Sequence, residues 1–471
     1  MPKNDYWKLS AFEGAKLIRD GSISAEDLVS SCIERVNQTN NKINAIVDDL
    51  SEAALEKAHE FDKLSKKGEF KGPLHGVPIT IKENIDQKGY ATPNGLEALK
   101  NLIAPGNAPV VDNLEKDGAI IIGRTNTPEF SMRGTTDNVI HGRTYNPWND
   151  WASPGGSSGG ASAAVMSGMG SLAHGNDIAG SLRIPSTATG ACTVKPGLGR
   201  IPAYNPSQTQ ERGLVAQLMS VQGIIAREIK DVRLGMQSLI NYDPRDPWMV
   251  EMPFESTTIG SPIKIGYTKE TLGEILHPAV DKALENAIEA LKDAGYILEE
   301  IALPEFEDAT NFSARTLFGE LKALHEKDFK KLGSENFNLI AGNYFKIISP
   351  FEGEDLLHGM AKRSYFFREW NLLFRKYPLV LTPFLLNPTY EWDRDTQGLE
   401  GTKEALAGMF YAHTMNYVGI PAGVVSANYN DGLPVGVQII SSRFREDIIL
   451  QACEEIEKRV GIMAEKLFER G

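Results

Sequence analysis

The sequence is poor in the features that mark secreted and membrane proteins. Only three of its 471 residues are cysteine, and Cys32, Cys192 and Cys453 lie far apart without a CxxC pair. A disulfide framework is therefore not expected, and reduced thiols are typical of the cytoplasm. The N-terminus has no apolar signal core, and no run approaches the roughly 20 apolar residues of a membrane span. We expect a cytoplasmic protein without a membrane partner.

Basic, metal-binding and phosphate-binding patterns are scarce as well. The net charge is −13, and no Lys/Arg block or basic stripe with interleaved aromatics occurs, so direct nucleic-acid binding is not expected. The eight histidines are scattered and form no HExxH motif, which leaves no predicted metal site. Neither G-x-x-x-x-G-K-[ST] nor G-x-G-x-x-G is found, so no cofactor is predicted.

Helix and strand patterns alternate along most of the chain. Ser24 and Ser51 precede helical apolar spacing and are predicted as helix N-caps. Short apolar runs such as "GVPITIKENI" and "GAIIIGRTNTPEF" are typical of buried strands, and Asp431-Gly432 predicts a hairpin turn. This alternation predicts an α/β fold, with a mixed, twisted central sheet covered by helices on both faces.

The same patterns indicate one domain over residues 1–471, since no interdomain linker is evident. We expect N-terminal helices over 1–70, a catalytic core over 71–230, and C-terminal strands and a helix over 378–471 that complete this core. The stretch 304–377 is rich in helix-forming, aromatic and charged residues and carries no catalytic motif. It is predicted to be a helical insertion that forms a pocket wall and determines specificity.

Residues 153–165, "SPGGSSGGASAAV", place four glycines around two serines. Glycine is used where the backbone bends unusually or approaches another group closely. The small residues that follow favour a tightly packed helix, whose N-terminus would stabilise negative charge beside the serines. A flexible linker is one alternative. Another is the G-x-S-x-G nucleophile elbow at 156–160 with His413 as base, but that motif needs a preceding strand, and prolines stand there instead.

Lys82 and Ser181 are candidates for the remaining catalytic groups. Without a convincing histidine, a lysine can serve as base for a serine nucleophile. Lys82 ends an apolar strand, where burial would lower its pKa from about 10.4. Ser181 ends "HGNDIAGS", a tight turn whose backbone amides could converge on one oxygen. Each residue taken alone also has a non-catalytic interpretation. Lys82 could be a lysine at a strand end that extends into solvent, and Ser181 could be a serine in an ordinary turn.

Together, ordered blocks of the sequence resemble the amidase signature family. These blocks are "GVPITIKENI", "GRTNTPEF", "YNPW", "SPGGSSGGASAAV", "GNDIAGSLRIP" and "NDGLPVGVQII". The likeness is strong from Gly76 to Pro202 and moderate in the C-terminal quarter. It implies a Ser-Ser-Lys triad in which Ser181 attacks the amide carbonyl and forms an acyl-enzyme. Ser157, held through an unusual cis peptide, would carry a proton between Ser181 and neutral Lys82.

The resemblance assigns further residues to the surroundings of this triad. The N–H groups it places in an oxyanion hole are those of Ile178, Ala179, Gly180 and Ser181. It places Ser131 in the acyl pocket and implies supporting roles for Ser158, Asp177 and Arg183. Ala179 stands where the family usually has glycine, and alanine disfavours positive φ, so the geometry of this loop is an open question.

The resemblance implies a stand-alone amidase that hydrolyses a small linear or cyclic amide. The wording of "GNDIAGSLRIP" is similar to hydrolases of small cyclic or aryl amides, such as aminohexanoate cyclic-dimer hydrolase and aryl acylamidases. One alternative is the A subunit of a tRNA-dependent amidotransferase, which typically has "GGSIRQP" at this place. Another is a catalytically silent binding protein of the same fold. The expected partner is the amide substrate, and a homodimer is compatible with this interpretation.

Overall fold

A single mixed sheet of 11 strands forms the centre of the computed structural model, which describes residues 3–255, 260 and 262–470. The strands are β1 (Ile46–Asp49), β2 (Pro78–Lys82), β3 (Ile120–Thr125), β4 (Leu172–Asp177), β5 (Cys192–Lys195), β6 (Val221–Ala226), β7 (Lys264–Tyr267), β8 (Ile297–Glu300), β9 (Leu379–Pro383), β10 (Ala422–Asn430) and β11 (Leu433–Ser441). Their order is β1-β3-β2-β4-β6-β5-β10-β11-β9-β7-β8. Strand β2 runs parallel to β3 and β4, and β7 runs parallel to β8 and β9, whereas the other pairs are antiparallel.

Helices connect and cover these strands. They are α1 (Ala11–Arg19), α2 (Ala25–Ile43), α3 (Ser51–Ser65), α4 (Pro109–Lys116), α5 (Gly159–Met166), α6 (Arg183–Thr189), α7 (Leu214–Met219), α8 (Ile229–Leu239), α9 (Pro278–Asp293), α10 (Phe306–Leu332), α11 (Glu335–Ile348), α12 (Gly353–Lys376), α13 (Gly398–Leu406), α14 (Phe410–Val418), α15 (Glu446–Val460) and α16 (Met463–Glu469). Short 3-10 helices span Lys3–Lys8, Glu97–Leu99, Glu129–Ser131 and Arg394–Thr396. Among the described residues, none of the helices has the length and apolar character to cross a bilayer.

Strand β10 shows how helices cover both faces of the sheet, as predicted. Side chains alternate between faces along a strand. Val425 belongs to the large apolar cluster that includes residues of α9 and α15, whereas its neighbour Val424 packs with Ile184 of α6. Strand β10 also pairs with β5 on one side and β11 on the other. The C-terminal strands therefore continue the sheet that the earlier strands begin.

Two of the three predicted local signals are confirmed. Ser24 caps α2 in a capping box with Asp27, and Asp431 and Gly432 both take the positive φ that a two-residue hairpin turn requires. The predicted cap at Ser51 is wrong. Ser51 is the first helical residue of α3, Leu50 is the N-cap, and the Ser51 hydroxyl donates to Asp49 Oδ1 at 2.5 Å.

The predicted insertion at 304–377 is helical and consists chiefly of α10, α11 and α12. Buried aromatic side chains of α12, including Phe366 and Trp370, pack with Tyr411 and Tyr417 of α14 in one apolar cluster. At the other end, Phe329 of α10 makes an edge-to-face contact with Phe130, with ring centroids 4.9 Å apart. These contacts hold α10 beside the loop that carries the predicted pocket residue.

Candidate active site

Lys82 is the last residue of β2 and is completely buried. Its Nζ lies 2.7 Å from Ser157 Oγ, 3.1 Å from Ser158 Oγ and 2.8 Å from Asn176 Oδ1. Burial penalises the ammonium and lowers the pKa of Lys82 to about 7, although the nearby carboxylates of Asp177 and Glu83 act in the opposite direction. An amine with this pKa is largely neutral at mildly alkaline pH and can accept a proton. The lysine does not reach solvent.

The glycine-rich stretch brings Ser157 and Ser158 to Lys82, just before the start of α5. The peptide between Gly156 and Ser157 is cis. A Cβ on Gly156 would lie 2.5 Å from Arg133 O, and one on Gly160 would lie 2.6 Å from the backbone of Asn126. Glycine is therefore needed for close backbone packing, and the linker alternative does not fit.

Ser158 connects the neighbouring segments. Its N–H donates to Ser181 O at 3.2 Å, and its Oγ lies 3.3 Å from Asn176 O. The hydroxyl thus contacts Lys82 and the end of β4, while the backbone contacts the loop of Ser181. This arrangement agrees with the supporting role implied for Ser158.

The nucleophile-elbow alternative lacks both of its structural requirements. No strand immediately precedes Gly156 in the described structure. His413 lies on α14, and its Nδ1 is 2.5 Å from Ser313 Oγ of α10. Burial, together with the charge of Arg183, lowers the pKa of His413 to about 4. This histidine is a partly buried partner of the helical insertion.

Asn176 and Asn84 are parts of the site that the sequence analysis missed. Asn176 Oδ1 accepts from Lys82, and Asn176 Nδ2 donates to Asn84 Oδ1 at 2.9 Å. Asn84 Nδ2 in turn donates to Ser131 Oγ at 3.0 Å. Both asparagines lie at or near the ends of buried strands, within the sequence blocks that resemble the amidase signature family. Polar side chains from neighbouring strand ends meet there. That position is the signal that could have identified them.

The loop from β4 to α6 places Ser181 at the surface of a cavity, with 9% of the residue exposed. Asp177 organises this loop by accepting from Gly180 N at 2.7 Å and from Leu182 N at 3.1 Å. Arg183 binds both oxygens of Asp177, and the pair is fully buried. Burial alone would raise the pKa of Asp177, but Arg183 and the other donors hold it below its usual value. The two residues therefore form an internal brace of this loop.

The structure reduces the four backbone N–H groups that the resemblance places in the oxyanion hole to three candidates. Because the N–H of Gly180 donates to Asp177, it is not free to point at a substrate oxygen. The N–H groups of Ile178, Ala179 and Ser181 remain candidates. Gly180 takes the positive φ of this loop, at 116°, whereas Ala179 does not. The alanine therefore causes no strain of the kind anticipated from the sequence.

Ser157 and Ser181 line one cavity of about 560 Å³, together with Ser131, Asn84 and Asn176. A volume of this size is typical of small-molecule sites. Its apolar and aromatic lining includes Phe130, Met132, Ile201, Tyr204, Trp248, Leu321 and Phe329. Ser131 itself is engaged by polar neighbours, since its Oγ lies 2.6 Å from Asn94 Oδ1.

The insertion supplies only part of the cavity wall. Leu321, His325 and Phe329 of α10 reach it, as the prediction of a pocket-forming insertion requires. Much of the remaining wall comes from residues between 198 and 222 and from 245–248, which the sequence analysis did not assign to the site. In the described parts of the chain, no group of three His, Cys, Asp or Glu side chains could hold a metal ion.

Comparison with known proteins agrees with this architecture. The model of the family described as Amidase matches residues 27–450. An indoleacetamide hydrolase of Bradyrhizobium diazoefficiens is 42% identical over 469 residues, which are 99% of this chain and 90% of that protein. The A subunit of the glutamyl-tRNA(Gln) amidotransferase of Moorella thermoacetica is 28% identical over 96% of this chain and 97% of its own. The solved structure of 6-aminohexanoate cyclic dimer hydrolase with its substrate superimposes with a TM-score of 0.83 and 25% identity, covering 97% of this chain and 98% of that one. The chain thus belongs to the amidase signature family, and it is an amide hydrolase.

Proposed function

We propose that the protein hydrolyses a small aromatic amide through Lys82, Ser157 and Ser181. The observation that carries this proposal is the fully buried amine of Lys82, 2.7 Å from a serine hydroxyl that shares a cavity with Ser181. A buried amine with a pKa of about 7 is a suitable proton acceptor near neutral pH. In this proposal, the hydroxyl of Ser157, which contacts Lys82 and lines the same cavity as Ser181, supplies the path for the proton.

In this mechanism, Ser181 Oγ attacks the amide carbonyl while its proton passes to Ser157, whose own proton moves to neutral Lys82. The carbonyl oxygen becomes an oxyanion, which the N–H groups of Ile178, Ala179 and Ser181 stabilise. The C–N bond then breaks, and the leaving nitrogen receives the proton back from Lys82 through Ser157. An ester to Ser181 remains. Water attacks this ester by the same proton path, which releases the acid and regenerates Ser181.

The proposed substrates are arylacetamides, with indole-3-acetamide as the first to test. The relative with 42% identity is named for hydrolysis of indoleacetamide. In this chain, aromatic residues including Phe130, Tyr204, Trp248 and Phe329 line the cavity that holds the serines. Such walls favour a flat apolar ring, and offset or edge-to-face aromatic contacts add to the gain from burial. The products would be indole-3-acetate and ammonia.

The test is a steady-state assay of the purified protein with indole-3-acetamide, in which both acid and ammonia are measured. We expect hydrolysis by the wild type and none by Ser181→Ala. Ser186→Ala is a matched control, because this serine lies on α6 near Ser181 and its Oγ donates to Leu182 O. Hydrolysis by Ser181→Ala at the wild-type rate would refute the assignment of the nucleophile.

The same preparation separates the two alternatives. The A subunit of an amidotransferase would release ammonia from glutamine in preference to indole-3-acetamide. A silent binding protein would hydrolyse neither amide, and its Ser181 would not react with a fluorophosphonate probe. Neither alternative accounts for the higher identity to the indoleacetamide hydrolase, 42% against 28% for the amidotransferase chain.

A further inference from the structure

The loop that follows β5 is surrounded by more positive than negative charge. Basic side chains near this loop lie close enough to one another to interact electrostatically, and they are Lys195, Arg200, Arg363 and Arg443. The same interactions include Arg183, and the acidic side chains among them are Glu446 and Asp177. Burial lowers the pKa of Lys195 to about 7, so the permanent cations of this group are the arginines. A local excess of cations inside a folded protein is costly unless an anion compensates it.

Glu446 does not provide this compensation for the whole group. It is fully buried, its Oε2 lies 3.3 Å from Arg200 Nε, and its Oε1 accepts from Gly197 N at 2.9 Å. Both carboxylate oxygens therefore face Arg200 and the loop. Glu446 also attracts the charge of Arg443, but within the described residues it forms a direct ion pair with neither Arg363 nor Arg443.

Within the described parts of the chain, neither Arg363 nor Arg443 forms an ion pair with a carboxylate. Their hydrogen bonds go to backbone carbonyls, from Arg363 to Val418 O at 3.3 Å and from Arg443 to Leu198 O at 2.6 Å. The Nε of each guanidinium is buried without a hydrogen-bond partner. Burial, reinforced by the charge of Arg443, lowers the pKa of Arg363 to about 10. The two cations thus destabilise each other.

Both guanidinium groups donate to residues at one backbone hydrogen bond, from Leu198 N to Gly419 O at 3.1 Å. Arg443 donates to Leu198 O, and Arg363 donates to the carbonyl of Val418, the residue before Gly419. A Cβ on Gly419 would collide with the Arg363 guanidinium, and one on Gly199 would lie 3.3 Å from Arg443 Nη2. Both arginines are partly exposed. Paired guanidinium forks match the oxygens of a tetrahedral anion in charge and geometry.

We propose that Arg363 and Arg443 bind a small tetrahedral dianion, of which inorganic phosphate is the simplest. Two positive charges that form no direct ion pair with a carboxylate among the described residues match the charge of a dianion. The site is separate from the catalytic residues but adjoins the cavity, because Leu198 and Gly199 belong to its wall. An occupied site would hold this part of the wall in place.

The test measures thermal unfolding of the full chain during titration with inorganic phosphate, with chloride used to keep the ionic strength constant. We expect a saturable rise in Tm, because a ligand that binds only the folded state stabilises it. Arg363→Gln or Arg443→Gln should weaken phosphate binding at least about tenfold, since each removes charge-assisted hydrogen bonds. Arg368→Gln is the matched control, because it removes one exposed charge from the same helix, and it should respond as the wild type does.

Three results would overturn the proposal. They are an equal rise in Tm with chloride alone, an unchanged phosphate response in both variants, and binding of acetate in place of phosphate. If the variants fold poorly, the wild type provides a second measurement. Phosphate should slow the modification of Arg363 and Arg443 by phenylglyoxal, mapped by mass spectrometry, and leave Arg368 unaffected. Equal protection of all three arginines would also refute the site.

Discussion

Replacing Asn176 with aspartate tests whether Lys82 is the catalytic base. The side-chain oxygen of Asn176 lies 2.8 Å from Lys82 Nζ. A carboxylate at the same 2.8 Å would attract the ammonium by about 6 kcal/mol at an effective dielectric constant of about 20. At about 1.4 kcal/mol per unit, this energy corresponds to roughly 4 pKa units. Desolvation of the new carboxylate opposes part of it, so we expect the pKa of Lys82 to rise by at least about 2 units.

The consequence is a displaced pH–rate profile. If the neutral amine of Lys82 is the active form, as proposed, kcat/KM of the wild type should rise with pH and level off above a pKa of about 7. In Asn176→Asp, the rise should occur at least about 2 units higher. At pH 7 the neutral fraction of the amine then falls from about one half to about one hundredth, which lowers kcat/KM at least about 50-fold, and alkali restores it. The assay is kcat/KM for indole-3-acetamide, measured across this pH range.

Asn176→Ala is the matched control, because it removes the oxygen acceptor without adding charge. In this variant, kcat/KM should rise at the same pH as in the wild type or at a lower pH. The reason is that the lost oxygen acceptor stabilises the ammonium form of Lys82. If Asn176→Asp loses activity while its rise stays at the wild-type pH, a residue other than Lys82 determines the profile. The proposed role of the lysine would then be wrong.

Three further substitutions have expected outcomes. Lys82→Met should abolish hydrolysis yet raise the free energy of unfolding by up to about 5 kcal/mol at pH 7, because folding lowers the pKa of the lysine from 10.5 to about 7. In urea titrations this gain should be full below pH 7 and vanish as the pH approaches 10.5, since the unfolded chain binds the extra proton only between these values. Gly180→Ala puts a Cβ 2.7 Å from Ile184 Cδ1 at a φ of 116°, so it should distort the oxyanion loop, lower kcat about 100-fold and also lower Tm. An unchanged kcat would contradict the assignment of this loop as the oxyanion hole. Arg183→Ala should cost about 3–5 kcal/mol of unfolding free energy in denaturant melts, because Asp177 would stay buried without its partner, and a loss below about 1 kcal/mol would mean that the brace is unimportant.

The sequence was sufficient to predict the sheet, the helical insertion and the contact between Lys82 and the serine pair. The sheet and the helices follow from local patterns, whereas the contact between Lys82 and the serine pair was implied by the resemblance to the amidase signature family. The proposed catalytic residues lie at the end of a short apolar run or in glycine-rich turns. Arg183 and Asp177 were expected to support the loop, but their complete burial depends on α6, α14 and β11 packing around them.

Other features depend on contacts between distant segments and could not be predicted in this way. The cavity wall at residues 198–222 and 245–248 is largely irregular, and its position is fixed by bonds such as Val250 N to Gly199 O at 2.8 Å. No periodicity identifies such a bond. The cap at Ser51 failed for a local reason, because Asp49 accepts both the N–H and the hydroxyl of Ser51.

Leu321, His325 and Phe329 are spaced four residues apart on α10, so the helix presents a single stripe to the cavity. The groups proposed to break the amide belong to strand ends and loops, not to α10. Mutations along this stripe can therefore reshape the acceptable acyl group without altering the reacting atoms.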